Sequence, residues 1–459
     1  MSSIQYRPEI HFTAKRGWIN DPNGLVYYKG RYHLFAQYYP EDTHWGPMHW
    51  LHAVSDDLVH WEEIGIALEP DELGFIFSGS AVVDEENTSG FGTAENPPLV
   101  AMFTHHLNVG GDPQKPVEQQ SIAWSTDGIT FHKYEGNPVI PSESPDFRDP
   151  KVFKNPKGGW GMVLAAGDRV CFYASQNLKE WEKTGEFGPE GNFSGGVWEC
   201  PDLFPLTVDG EEKWVLLVSM GPCEENRGAR VQYFIGSFDG SRFVSDGSFD
   251  RVEFMDSGYD NYAAVTYFGT EQRILIGWGD NVVYADKTPT DEEGFRCVHT
   301  LPRALSLVKT ELGGVRLAQQ PIDGGVFAET AAEDSSVLPS SLCKVHLRGE
   351  GAAIIALKNA AGEQFRFGVN DHNEVFTDRT LAGLKDFAEN YASESFGKAI
   401  APRFYDGEWE MTLYIDHMCT ELFVDGGTRA FSQLVFPTEN YDTIAVAGNV
   451  TVEVYPAKD

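Results

Sequence analysis

Ser55-Asp56-Asp57-Leu58-Val59-His60-Trp61 decides the fold, because its plan comes back three times along the chain. The copies are Ser125-Thr126-Asp127-Gly128-Ile129-Thr130-Phe131, Ser175-Gln176-Asn177-Leu178-Lys179-Glu180-Trp181 and Ser237-Phe238-Asp239-Gly240-Ser241-Arg242-Phe243. Each follows a short apolar run, such as Ile122-Ala123-Trp124 or Tyr233-Phe234-Ile235. Asp, Asn and Gly in the middle supply turn chemistry, by bonding nearby backbone N–H groups or tolerating positive φ. The aromatic at the end belongs on the next strand, so each copy reads as strand, tight turn, strand. The copies start 70, 50 and 62 residues apart, the size of a four-stranded propeller blade with its loops. A fifth unit without the signature fits between Tyr259 and Asp286, where Ala263-Ala264-Val265-Thr266-Tyr267-Phe268 and Arg273-Ile274-Leu275-Ile276-Gly277-Trp278 read as strands. The expectation is an all-β chain whose residues 1–305 form a five-bladed β-propeller.

Past Leu305 the repeat is lost and Gly313-Gly314 and Gly324-Gly325 appear, so residues 306–326 are expected as a linker. Period-two alternation then resumes at Cys343, Val345 and Leu347, at Phe365 and Phe367, at Met411, Leu413 and Ile415, and at Leu422 and Val424. With Asp425-Gly426-Gly427 as a turn, residues 327–459 are expected to form a C-terminal β-sandwich. No acid cluster comparable to that of the propeller occurs there, and its expected role is structural.

A chain of 459 residues is long for a single core, which agrees with two domains. The 35 basic and 69 acidic side chains leave a net charge of -34. Nucleic acid and an anionic membrane are therefore excluded as partners over most of the surface. No run of 18 apolar residues occurs, and Met1-Ser2-Ser3-Ile4-Gln5-Tyr6-Arg7-Pro8 has no apolar leader core. The six cysteines are scattered without a C-x-x-C pair. Free thiols and a cytoplasmic location are the expectation. His49 and His52, three apart on a strand, should face opposite ways, which argues against zinc. With no phosphate loop or nicotinamide fingerprint either, no cofactor is expected.

Three acidic motifs carry the chemistry: Trp18-Ile19-Asn20-Asp21-Pro22-Asn23-Gly24, Phe147-Arg148-Asp149-Pro150 and Trp198-Glu199-Cys200-Pro201-Asp202. Each opens a repeat unit. Proline lacks an N–H and is tolerated near a strand start only on an edge, and the innermost strand of a blade is such an edge. The three acids should therefore meet at one mouth of the axial channel. Glycoside hydrolysis needs one carboxyl that protonates the leaving oxygen and another on the opposite face of the sugar. Glu199, between Trp198 and Cys200, reads as the general acid, its pKa raised by apolar neighbours. Asp21, beside Asn20 and the Asn23-Gly24 turn, reads as a nucleophile kept ionised by amide donors. Asp149 should be held charged by Arg148.

These motifs, in this order and spacing, resemble glycoside hydrolase family 32, the invertases, inulinases, levanases and sucrose-6-phosphate hydrolases. The resemblance extends to Tyr32-His33-Leu34-Phe35-Ala36-Gln37, Trp45-Gly46-Pro47-Met48-His49-Trp50, Phe77-Ser78-Gly79-Ser80-Ala81 and Glu421-Leu422-Phe423-Val424-Asp425-Gly426-Gly427. It implies a propeller plus sandwich, Asp21 as nucleophile, Glu199 as acid/base and Asp149 as transition-state stabiliser. It also implies a fructose pocket lined by Asn20, Gln37, Trp45, Trp50, Phe77, Ser78, Arg148 and Trp278. The implied activity is a retaining β-fructofuranosidase acting on sucrose and short fructo-oligosaccharides, with sucrose-6-phosphate hydrolase or an exo-acting inulinase or levanase as alternatives. The expected partner is a small carbohydrate, and self-association into a homo-oligomer is left open. Ala36, Leu51 and Asn261 depart from the commonest family pattern, and Asn261 and the loop Leu107 to Glu118 are expected to affect what is accepted beyond fructose.

Overall fold

The computed structural model describes residues 5–142, 145–193, 195–223, 228–247, 249, 252–393 and 396–458. Five antiparallel sheets follow one another along the first two-thirds of the chain. The first blade holds Gly17–Tyr28, Arg31–Tyr39, His49–Ser55 and Trp61–Leu68; the second holds Phe75–Val83, Leu99–Asn108, Pro116–Ser125 and His132–Lys133. The third is Phe147–Lys154, Trp160–Ala166, Arg169–Ser175 and Glu182–Phe187, and the fourth Trp198–Val208, Glu211–Cys223, Gly228–Phe238 and Phe243–Ser245. Tyr262–Thr266, Arg273–Trp278, Arg303–Thr310 and Gly314–Pro321 make the fifth. The short strand Phe295–Arg296 runs parallel to the start of Gly17–Tyr28 and ties the last blade to the first.

The repeated heptad joins the third and fourth strands of blades one to four. Asp57 Oδ1 accepts from the Val59 and His60 N–H groups at 3.0 and 2.8 Å, and Asp127 Oδ1 from Ile129 and Thr130, both at 2.8 Å. Asn177 and Asp239 do the same one and two blades on. The sheets pack face to face, so middle strands are apolar on both sides. Trp50 and Phe35 of the first blade meet Phe103 of the second, Met162 of the third meets Met102 of the second, and Phe172 of the third packs with Trp214 and Phe238 of the fourth. Leu217 then meets Leu275 between the fourth and fifth, and Trp18 meets Trp278 where the ring closes.

Every inner strand breaks register at the same level. The shifts fall between Ile19 and Pro22, Ile76 and Gly79, Arg148 and Lys151, Glu199 and Asp202, and Tyr262 and Val265. A bulge adds a residue to one strand and re-aims the side chains around it. Asp149, Cys200 and Ala263 sit in these bulges at φ 64, 44 and 51, a region that costs L-residues about 1 kcal/mol or more and that accumulates at functional sites. Polar ties hold the inner strands together just past the bulges. Lys151 Nζ lies 3.0 Å from Asp202 and donates to Thr266 O, and Ser80 Oγ donates to Pro150 O at 2.8 Å.

The expected linker is corrected by the last two strands of the fifth blade. Arg303–Thr310 and Gly314–Pro321 pair from Arg303↔Pro321 to Thr310↔Gly314, so residues 306–321 are sheet, and Gly313-Gly314 is their turn. Beyond residue 341 the chain forms a sandwich around Val345, Leu347, Phe365, Phe367, Met411, Leu413 and Leu422. Its two sheets share the long pair Leu342–Lys358 and Thr443–Pro456. The first half of Leu342–Lys358 pairs with Glu408–Asp416, the second with Gln364–Val369, and a bulge at the Gly351 bend lets the strand change sheets. Arg303 docks this domain on the propeller: fully buried, it reaches Asp256 at 3.0 Å and Glu421 at 2.8 Å.

Candidate active site

The five bulges open on a cavity of about 600 Å³ at one mouth of the channel. Asp21, Asp149 and Glu199, from the first, third and fourth blades, all line it. Three carboxyls from distant parts of the chain thus converge.

Asp21 is surrounded by donors. Ser78 Oγ donates to its Oδ2 at 2.6 Å, Asn20 Nδ2 to its Oδ1 at 3.1 Å, and the Cys200 thiol lies 3.3 Å from Oδ2. Asn20 is itself fixed by Trp18 Nε1 at 2.9 Å, and Asn23 ties the Asp21 carbonyl to the Gly79 N–H of the next blade. The expectation that donors alone set this charge is corrected. Burial pushes the Asp21 carboxyl up, the Ser78, Asn20 and Cys200 bonds oppose it, and Glu199 adds to the rise. The net direction is upward.

Arg148 does not hold Asp149 charged as expected. Burial moves the Asp149 carboxyl up to about 7, with Asp21 and Glu199 adding to it against Arg148. The bulge turns the neighbours apart: Arg148 Nε is 4.0 Å from Asp149, whereas its Nη2 is 3.0 Å from Glu199 Oε1 and its Nη1 2.8 Å from Asp146. Asp149 Oδ2 instead accepts from the Cys200 N–H at 2.9 Å. Glu199 is not enclosed by apolar neighbours either. Trp198 points into the core between blades three and four, while Glu199 faces Arg148 and accepts from the Tyr262 hydroxyl. The charges of Asp21 and Glu199 both stand against ionisation of Asp149, as like charges in one cavity do.

Residues 11–321 match the model of the glycosyl hydrolases family 32 N-terminal domain, and residues 344–456 that of the family 32 C-terminal domain. The chain belongs to glycoside hydrolase family 32. It is 40% identical to a levanase of Bacillus subtilis (strain 168) over 99% of its own length and 70% of the relative's. An extracellular exo-inulinase of Aspergillus ficuum is 34% identical, over 98% of this chain and 93% of that one. The crystal structure of the exo-inulinase from Aspergillus awamori superposes with a TM-score of 0.88 at 32% identity, covering 100% of this chain and 99% of that one. As a family 32 member this chain is a glycoside hydrolase that acts on fructosides.

The family 32 cavity holds most of the residues singled out in the sequence. Asn20, Gln37, Trp45, Phe77, Ser78, Arg148 and Trp278 all line it. Trp45, half exposed, stands at the rim and meets Phe77 edge-on at 6.2 Å. Gln37 is fixed through Nε2 to Ile76 O at 3.0 Å. Trp50 is a correction: fully buried, it packs on Phe35 and Phe103 and donates from Nε1 to Phe77 O at 3.0 Å. It braces the wall from behind. Asn261 is also a correction, being buried with its Nδ2 on Asp256 at 3.3 Å and outside the lining.

Sequence reasoning missed Tyr262, His106, Glu118, Asp146, Val282 and Asp286 as individual lining residues. Tyr262 opens the inner strand of the fifth blade, at the level where the first, third and fourth blades carry their acids, and that position was its only signal. His106 stacks on Phe77 at 4.2 Å with 13° between the rings. The flagged loop Leu107 to Glu118 does reach the cavity, at Pro116 and Glu118. His52 lies buried against Phe35, whereas His49 is partly exposed and its Nδ1 meets the Pro47 carbonyl at 2.9 Å. Five cysteines are free and buried, and the side chain of Cys223 is outside the described residues.

Proposed function

We propose that this enzyme is a retaining β-fructofuranosidase removing terminal β-linked fructose from sucrose and short fructo-oligosaccharides. The observation that carries the reading is the meeting of Asp21, Asp149 and Glu199 in one cavity, each with a different set of partners. Asp21 has the donors that favour a carboxylate and takes the role of nucleophile. Its oxygen attacks C2 of the fructosyl unit while Glu199 gives its proton to the departing glycosidic oxygen. Water, deprotonated by Glu199, then cleaves the fructosyl–Asp21 ester, with overall retention. Asp149 holds fructose hydroxyls and the developing positive charge. Asn20, Gln37, Ser78 and Arg148 orient the ring, and Trp45, Phe77 and Trp278 pack its apolar edges.

The lining supports a neutral substrate. Among its described residues Arg148 is the one Lys or Arg, beside six acids: Asp21, Glu118, Asp146, Asp149, Glu199 and Asp286. Arg148 is already committed to Glu118, Asp146 and Glu199, which leaves no free cation there for the phosphate of a phosphorylated sucrose. The likeness to a levanase and an exo-inulinase favours a second reading, exo-acting release of fructose from levan or inulin. Comparing kcat/KM for sucrose, its 6-phosphate, a kestose series, inulin and levan separates these readings. Preference for the 6-phosphate would overturn the neutral one. Wild-type-like turnover by Asp21→Asn or Glu199→Gln would remove the assigned roles. A cytoplasmic location is proposed on the free buried thiols, against exo-inulinase relatives named as extracellular, and cell fractionation tests it.

A further inference from the structure

Glu118 lies on the third strand of the second blade, nearly buried in the cavity wall, and no role above uses it. Four donor contacts converge on its carboxylate. His106 Nδ1 approaches at 3.0 Å, the Phe147 N–H donates at 2.8 Å, and Arg148 Nη1 reaches both oxygens at 3.0 and 3.3 Å. Burial alone would raise this carboxyl, but His106, Arg148 and the Phe147 N–H outweigh it and hold it below the usual glutamate range. Its contacts therefore favour Glu118 in the charged form.

The guanidinium it touches is a rigid planar fork. One corner of Arg148, Nη1, is held by Glu118 and Asp146; the other, Nη2, faces Glu199 Oε1 at 3.0 Å. Fixing the first corner fixes where the second points. We propose that Glu118 is a positioning residue that aims Arg148 at Glu199 and, by sharing its charge, limits how strongly Arg148 stabilises the ionised proton donor. Resting on the reading of Glu199 as acid/base, this extends the reaction machinery to a strand of the second blade that carries none of the three acids.

The sign follows from the charges in contact. Glu199 is faced by Arg148, Tyr262, Asp21, Asp149 and Cys200; Arg148 by Glu118, Asp146, Asp149 and Glu199; Glu118 by His106 and Arg148. Removing the Glu118 charge leaves Arg148 to the others, so the Glu199 carboxylate gains stability and gives up its proton at lower pH.

The test compares Glu118→Gln and Glu118→Asp with wild type on two substrates. Sucrose needs its leaving oxygen protonated. β-D-Fructofuranosyl fluoride does not, because the C–F bond breaks to release fluoride ion as Asp21 attacks C2. For Glu118→Gln, the alkaline limb of kcat/KM on sucrose should move down by about half a pH unit or more, a loss of about threefold or more along that limb. On the fluoride kcat/KM should stay within about twofold of wild type. Glu118→Asp keeps the charge, so its limb should stay closer to that of wild type, and it carries the same substrate comparison if the glutamine variant melts early. Equal losses on both substrates with an unmoved limb, or no loss on either, would overturn the proposal. Glu199→Gln, run alongside, should lose sucrose and keep the fluoride. Equal loss on both by that variant would reject the acid/base assignment itself.

Discussion

Asp149→Asn should make the protein more stable at alkaline pH while disabling it. In the folded protein the Asp149 carboxyl is moved from 3.8 to about 7, first by burial and then by Asp21 and Glu199. Each pH unit of displacement corresponds to about 1.36 kcal/mol, so ionising Asp149 alone at pH 8 costs the fold on the order of 4 kcal/mol. Asp149 is coupled to Asp21, whose carboxyl is raised as well, which spreads that cost over the pair and leaves about 1–2 kcal/mol to be recovered by removing one charge. The sign is fixed by linkage. A carboxyl whose folded pKa is raised favours the fold fully below its unfolded value, near 4, and loses that contribution as pH rises through about 7. Asparagine keeps an oxygen to accept from the Cys200 N–H, now at 2.9 Å, and carries no charge. Melting curves at pH 8 and pH 4.5 measure this. The variant should melt higher than wild type at pH 8, by about 1–3 °C, and the gain should shrink at pH 4.5. An unchanged or lower melting point at pH 8, or the same increment at both pH values, would refute the reasoning.

Ser78→Ala removes the 2.6 Å bond to Asp21 Oδ2, so the Asp21 carboxyl rises further; the acidic limb of kcat/KM should move to higher pH, with about a tenfold loss below the optimum. Trp50→Phe breaks the tie to Phe77 O and leaves a small void, costing about 1–3 kcal/mol in urea unfolding and raising KM more than it lowers kcat. His33 and His52, stacked in the first blade, are pushed down by burial to about 4 and about 3. Their contribution to stability is full above about 6.5 and lost as pH falls through the folded values, so His52→Phe should lose less melting temperature than wild type between pH 7 and pH 4.5.

Much of the propeller was legible because its turns are chemical. The Asp57, Asp127, Asn177 and Asp239 side chains each cap a tight turn, and the prolines at 22, 150 and 201 marked inner edges. The last hairpin of the fifth blade turns on Thr310 and Gly313 instead, so residues 306–321 read as linker. The acids were found because each sits in a motif. Their charge states were not, because adjacent residues part company at a bulge: Arg148 belongs to Glu199 and Asp149 to the Cys200 backbone. Trp50 misled for a related reason, since its place on the third strand sends the ring between blades. Tyr262, His106 and Glu118 reach the cavity only because a closed ring brings the fifth blade and a hairpin of the second against the first, a contact that no local pattern encodes.

Asp21 acting through a covalent fructosyl ester is the central claim, and the configuration of the transferred sugar tests it most directly. With sucrose in aqueous methanol, methanol intercepts the fructosyl unit and locks its anomeric centre against mutarotation. Two displacements at C2 should yield methyl β-D-fructofuranoside as the first product seen by NMR. Appearance of the α-anomer instead would mean a single displacement, with Asp21 as a base, and would contradict the account.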